Sequence, residues 1–125
     1  MTNKNFNQDL GLNFIGFINK MYVIELVVEP RHHNAGGFVH GGVIATILDT
    51  AMARAYWKQQ SPDKMSSVTL EMKVNYLRPI KQGKLIAKGK LVNTTRRTAY
   101  VEGHVEDESG RLLAKASATL MLTES

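Results

Sequence analysis

Phe38-Val39-His40-Gly41-Gly42-Val43-Ile44-Ala45-Thr46-Ile47-Leu48-Asp49-Thr50-Ala51-Met52-Ala53-Arg54-Ala55 decides how this chain folds. From Gly42 onward it carries no Pro and no further Gly, and its residues are mostly small or straight-chain apolar. The pattern predicts a helix from Gly42 to about Lys58, stopped by Ser61-Pro62-Asp63. Val43, Ile44, Ala45, Ile47, Leu48, Ala51, Met52, Ala53 and Ala55 leave it almost no polar face. A helix apolar nearly all round is buried nearly all round. One flat sheet covers only one side of a helix, so a sheet must curl around this one or a second subunit must cover the remainder.

The flanking segments read as strands. Leu12 to Ile18 and Met21 to Val28 are apolar and suggest a bent pair or a hairpin around Asn19-Lys20, preceded by a short helical turn at Phe6 to Leu10. Pro30 to Val39 is a loop, rich in breakers. After the helix, Val68, Leu70, Met72, Val74 and Tyr76 alternate with Thr69, Glu71, Lys73 and Asn75, a period of two that places the five apolar residues on one face. Three more strands follow: Lys84 to Val92, Ala99 to Glu106 and Leu112 to Leu122, the last two separated by the turn Asp107-Glu108-Ser109-Gly110. Short connections predict that these four are antiparallel neighbours in chain order. Ala114, Ala116 and Ala118 offer small side chains on which a helix packs closely. The expected fold class is α+β, an antiparallel sheet against one long helix, in a single domain spanning residues 1–125.

Composition narrows the function. The chain has no Cys, which excludes disulfides, thiolate nucleophiles and Cys-type zinc sites. No apolar leader and no apolar run of about 18 residues is visible, so a cytoplasmic protein without a membrane span is expected. The net charge of +5 is uneven: between Lys73 and Arg97 stand eight basic residues and no acidic one. Such a segment suits an anionic partner, or serves as a solvated strand face whose Lys side chains blunt a sheet edge.

The glycine-rich turn and the helix start form the first candidate site. Free N–H groups at a helix start favour negative charge and suit an oxyanion. Gly37 and Gly42 have the spacing of a phosphate loop, but Val43-Ile44 follows where Lys-Ser/Thr is required, which rejects that reading. A glycine-rich turn alone is most often a plain helix cap; Asp49 raises the interest. Its neighbours are apolar except for two threonines, and a carboxylate buried without a partner costs several kcal/mol. Asp49 is therefore either paired, with Arg54 or a hydroxyl, or kept as a base or nucleophile. It lies seven residues beyond Gly42, about 10 Å along the helix. One small carbonyl cannot touch both ends of that segment, so if both act they come from two chains across a dimer axis.

Asn34-x5-His40-Gly41-Gly42-x6-Asp49-x-Ala51, with Leu10-Gly11, Val68-Thr69-Leu70-Glu71-Met72 and Tyr76-Leu77-Arg78-Pro79, resembles the signature of PaaI-type acyl-CoA thioesterases of the hotdog-fold superfamily over nearly the whole chain. The resemblance implies a hotdog fold, an antiparallel sheet wrapped around one long central helix. It also implies hydrolysis of an aryl-, short- or medium-chain acyl-CoA. Gly41 of this His-Gly-Gly motif would give its N–H to the thioester oxygen, with Gly42 beside it. Asn34 would assist there and His40 would shape the turn. Asp49 of the facing subunit would act as base or nucleophile, and Thr69, where relatives often have Ser, would help place water. Some of Arg78, Lys81, Lys84, Arg96 and Arg97 would meet the coenzyme A phosphates. The resemblance implies no cofactor, coenzyme A being part of the substrate, and at least a homodimer, assembled into a homotetramer as a dimer of dimers.

Rival functions are a hydratase or dehydratase on the same fold and a non-catalytic acyl-CoA binding protein. The first usually carries a catalytic His on or beside the helix, and no His lies within this helix. Nucleic-acid binding wants aromatics among the basic residues, and residues 73–97 hold only Tyr76. His32-His33 and His104 complete no metal-ligand spacing, so no metal is expected.

Overall fold

The computed structural model describes residues 4–60 and 66–123, so the helix stop at Ser61-Pro62-Asp63 lies outside the described residues. Helix α1 (Phe6–Leu10) is capped reciprocally by Asn5 and Gln8 and leads into strand β1 (Asn13–Ile18). Strand β2 (Met21–Val27) returns through Asn19 and Lys20, both at positive φ (52° and 69°). That left-handed pair matches the twist of a two-residue hairpin. A 3-10 turn at Pro30–His32 opens the loop to helix α2 (Gly41–Gln60). Strands β3 (Ser67–Tyr76), β4 (Lys84–Thr94), β5 (Thr98–Glu106) and β6 (Leu112–Leu122) complete the fold.

The six strands form one antiparallel sheet in the order β1-β2-β4-β5-β6-β3. Strands β4, β5 and β6 are neighbours as expected, but β3 is not beside β4: it pairs with β6 at one edge. The cause lies in the connection after β3. The N–H groups of Leu77 and Arg78 both donate to the Leu113 carbonyl, at 2.8 and 3.1 Å, turning the chain across the start of β6. Val39 N–H then holds Ile80 O at 2.9 Å, and Val28 N–H holds Gly83 O at 2.8 Å, which delivers the chain beside β2. Pro79 donates nothing and cannot continue a ladder.

The sheet curls around α2, which packs on β2 through β6. Ile47, Leu48, Ala51, Met52 and Ala55 are fully buried among Ile24, Leu85, Ala87, Val101 and Leu120. Each large side chain so buried is worth roughly 1.5–3 kcal/mol. Ala114, Ala116 and Ala118 face this core, but the tightest approach falls on Gly89 of β4 and Gly103 of β5, which oppose each other across the ladder. The expectation of all-round burial needs correction within one chain: Ala45, Thr46, Asp49, Thr50, Ala53, Arg54 and Trp57 are only half-buried and Gly42 is exposed. The sheet covers the opposite face.

A second correction concerns the faces of β3. Its register with β6 shifts between Thr69 and Glu71, the mark of an inserted residue. Val68 and Leu70 are therefore exposed, at 40% and 58%, rather than sharing the inner face of Met72 and Val74. Ser67 is buried instead, and Thr69, although exposed, faces helix α2. Among the described residues no helix is long and apolar enough to cross a membrane.

Candidate active site

Thr69 donates its hydroxyl to Asp49 Oδ1 at 2.6 Å. Of the two partners open to Asp49, the hydroxyl is the one found. Thr46 and Thr50, its neighbours on the helix, donate to carbonyls one turn back (Gly42 O at 2.9 Å and Thr46 O at 2.8 Å). The carboxylate is half-buried and opens onto a cavity of about 300 Å³ between α1, α2 and the start of β3. Phe6, Ala53, Arg54, Trp57, Ser67 and Thr69 are among its walls. A larger cleft of about 370 Å³, under the connection from Pro79 to Lys84, contains none of the candidate catalytic residues.

The helix start is built around His40. Its Nδ1 accepts the Gly42 N–H at 2.8 Å, and its carbonyl accepts the Val43 N–H at 2.9 Å. The Gly41 N–H has no acceptor among the described residues. The Gly41 carbonyl receives the Tyr76 hydroxyl at 2.9 Å. A Cβ on Gly41 would lie 3.3 Å from the Tyr76 ring, so β3 approaches the helix start closely here. Asn34 Oδ1 accepts the N–H groups of Gly36 (2.9 Å) and Phe38 (3.1 Å), closing the glycine loop on itself.

Gly41 and Asp49 therefore meet opposite ends of β3: Tyr76 at its C-terminal end, Thr69 near its N-terminal end. The eight residues between them correspond to about 12 Å of helix. The basic residues divide the same way. Arg78 follows the Tyr76 end, whereas Arg96 and Arg97 form the β4–β5 turn beside the Ser67 end, where Arg97 O accepts Leu122 N–H. One chain does not bring Arg78 together with Arg96 and Arg97. The adjacent histidines are structural. His32 is fully buried between Glu29 N–H and Leu10 O, and His33 is tied to Lys81 O at 2.7 Å.

Sequence reasoning missed Tyr76, Ser67 and the setting of Arg54. Arg54 does not pair with Asp49. Its guanidinium lies 3.9 Å over the Phe14 ring and 5.0 Å from that of Trp57, and Nη1 donates to Tyr22 Oη at 3.2 Å. No local pattern signals these roles, because each depends on where β3, β1 and β2 meet the helix.

Comparison with known proteins agrees with this architecture. Residues 36–114 match the family model described as thioesterase superfamily. A relative from Archaeoglobus fulgidus is 33% identical over 98 residues, covering 78% of this chain and 61% of that one, so this chain spans about three-fifths of its length. Human acyl-coenzyme A thioesterase 13 is 26% identical over 121 residues, covering 93% of this chain and 84% of its own. A variant structure of the phenylacetic acid degradation protein PaaI from Thermus thermophilus superposes with a TM-score of 0.82 at 28% identity, covering 95% of this chain and 98% of that one.

Proposed function

Because this chain belongs to the thioesterase superfamily, we propose that it hydrolyses the thioester of an aryl-, short- or medium-chain acyl-CoA. The observation that carries this reading is Asp49, held by the Thr69 hydroxyl at the mouth of the cavity. The unoccupied Gly41 N–H begins the same helix and supports it. Coenzyme A enters as part of the substrate, and no further cofactor is invoked.

The site is assembled from two chains. Strand β3 is the longer of the two edge strands of the sheet, ten residues against six in β1, with Val68, Leu70 and Tyr76 exposed. Such an edge is a template for pairing with another strand. Antiparallel pairing of two β3 strands sets the Tyr76 end of one against the Ser67 end of the other. Gly41 of one protomer then approaches the partner's Asp49. Arg78 of one converges with the partner's Arg96 and Arg97 on one CoA nucleotide, which explains why a single chain separates them.

In this arrangement the Gly41 N–H, assisted by Asn34, binds the thioester oxygen as negative charge builds on it. Asp49 takes a proton from water as the hydroxide adds to the carbonyl carbon. The C–S bond then breaks and the thiol leaves with a proton. Direct attack by Asp49 gives a mixed anhydride, which water then opens. A single turnover in ¹⁸O-water separates the routes: the base route puts the label in the product acid, whereas opening of the anhydride at the Asp49 carbonyl puts it in Asp49 and leaves the first product unlabelled. Thiol release from a panel of acyl-CoAs, followed with a thiol reagent, tests the activity; silence across the whole panel would overturn it.

Two outcomes follow. Thr69→Ala should lower kcat about tenfold with little change in KM, because the carboxylate loses its one hydroxyl anchor, while Thr69→Ser retains most activity. Equal rates for wild type and Thr69→Ala would remove that role. Sedimentation should show a dimer or a dimer of dimers and no stable monomer, because the monomer holds no complete site. An active monomer would sink the two-chain arrangement.

A further inference from the structure

Two polar groups in the Asp49 cavity are left unused by this reaction. Ser67 is 1% exposed, lines the cavity, and its Oγ has no hydrogen-bond partner among the described residues. Arg54 lines the same cavity, half-buried, and forms no ion pair with any acidic side chain among the described residues. Among the described residues only Nη1 donates, to Tyr22 Oη, so most of the five guanidinium N–H groups are without an acceptor there. The rings of Phe14 and Trp57 hold the guanidinium in place. A half-buried cation without a counter-charge among the described residues, and a buried hydroxyl without a partner there, each gain from a ligand that fills their bonds.

Their positions agree. Gly41 meets Tyr76 and Asp49 meets Thr69, so the helix runs toward its C-terminus as β3 is followed backward. Arg54 lies beyond Asp49 in that direction, by about 7.5 Å of helix rise. Ser67 lies beyond Thr69 in the same direction, on the same face, by about 6.6 Å of strand. Both line the cavity that Asp49 and Thr69 open onto, a few ångströms past the carboxylate along helix and strand, within the reach of a short acyl group whose thioester lies at Asp49.

We propose that the acyl group ends in a carboxylate, received by Arg54 and Ser67: the substrate class is the CoA monothioester of a short dicarboxylic acid. A carboxylate neutralises the unpaired guanidinium through a two-point bond, which a terminal hydroxyl or methyl cannot do. The Ser67 hydroxyl donates a further hydrogen bond. This rests on the thioesterase reading for the position of the scissile end, but the subsite itself is tested without turnover.

The probes are two CoA thioethers of equal chain length, S-pentyl-CoA and S-(4-carboxybutyl)-CoA, neither of which can be hydrolysed. Trp57, the sole tryptophan of the chain, lines the cavity and reports occupancy by its fluorescence. The wild-type protein should bind the carboxybutyl thioether at least tenfold more tightly than the pentyl one. Arg54→Met, which keeps the stem on Phe14, should abolish the preference, Arg54→Lys should restore part of it, and Ser67→Ala should reduce it several-fold. Equal or tighter binding of S-pentyl-CoA overturns the carboxylate subsite, even where thioesters are hydrolysed. A preference for the carboxybutyl probe with no thioester hydrolysed upholds the subsite and overturns the catalytic reading instead. Binding of neither probe overturns both.

Discussion

Asp49→Asn will slow CoA release from a good thioester by about a thousandfold, with KM nearly unchanged. Asn has the same shape as Asp, and its Oδ1 still accepts the Thr69 hydroxyl, so the 2.6 Å contact survives in the variant. The carboxamide neither takes a proton from water nor attacks a carbonyl. Positioned proton transfer contributes about 10²–10⁴-fold, and loss of a nucleophile costs at least as much. Initial rates with a thiol reagent, alongside a melting curve to establish an intact fold, measure the effect. A variant as fast as wild type would remove Asp49 from the chemistry. The same variant tests the two-chain site. Co-assembled with chains carrying Gly41→Pro, which has no N–H and is tolerated at the first helical position, it should form mixed dimers with one intact site, combining the wild-type Gly41 of one protomer with the partner's wild-type Asp49. Activity should reappear on mixing two dead variants; a site contained within one chain predicts none.

That site was only partly legible in the sequence, for physical reasons. The helix was legible because its signal is local: an uninterrupted apolar run after a glycine turn, found over Gly41–Gln60. Two short apolar runs around Asn19-Lys20 left a bent pair or a hairpin open, and the left-handed backbone at both residues makes it a hairpin. The place of β3 was not, because sheet order follows from where non-local bonds close, here the capture of Leu77 and Arg78 by Leu113 O. The burial of Ser67 and the turn of Thr69 toward helix α2 were hidden too. Strict alternation set Thr69 opposite Met72, and only a register shift against β6 reverses it. That irregularity lets Thr69 and Tyr76, seven residues apart on one strand, both reach the same helix. Likeness to a known family named Thr69 and Gly41 in advance. It gave Tyr76 only as part of the strand's exit and was silent on Ser67 and Arg54; the contacts of all three come from helix–strand register.

The register rests in turn on how closely the helix lies on the sheet, and there a single methyl group should have the largest effect on stability. Gly89→Ala should destabilise the protein by about 3 kcal/mol, at the upper end of overpacking costs, and lower the melting temperature by roughly 10 °C. A Cβ on Gly89 would lie 2.4 Å from the Ala51 carbonyl oxygen, 2.6 Å from its carbon and 2.8 Å from the Met52 nitrogen. All three are backbone atoms in mid-helix, so no rotamer change relieves the clash. The helix must lift from β4 or the strand must bend. Gly103, directly across the ladder, is the control. Its Cβ would lie 3.0 Å from the Lys88 carbonyl oxygen and otherwise meet the Met52 side chain, with Cγ at 2.9 Å and Sδ at 3.3 Å. Methionine is flexible and moves away, so Gly103→Ala should cost about 1 kcal/mol. Urea and thermal unfolding of the two variants measure the difference. Because Ala51 and Met52 are the next residues but one and two after Asp49, lifting the helix at Gly89 also draws the carboxylate from Thr69. Whatever fraction of Gly89→Ala folds should therefore show a reduced kcat, while Gly103→Ala keeps its activity. A Gly89→Ala protein that melts within two or three degrees of wild type would mean, by the same scaling, that the helix has slack over β4.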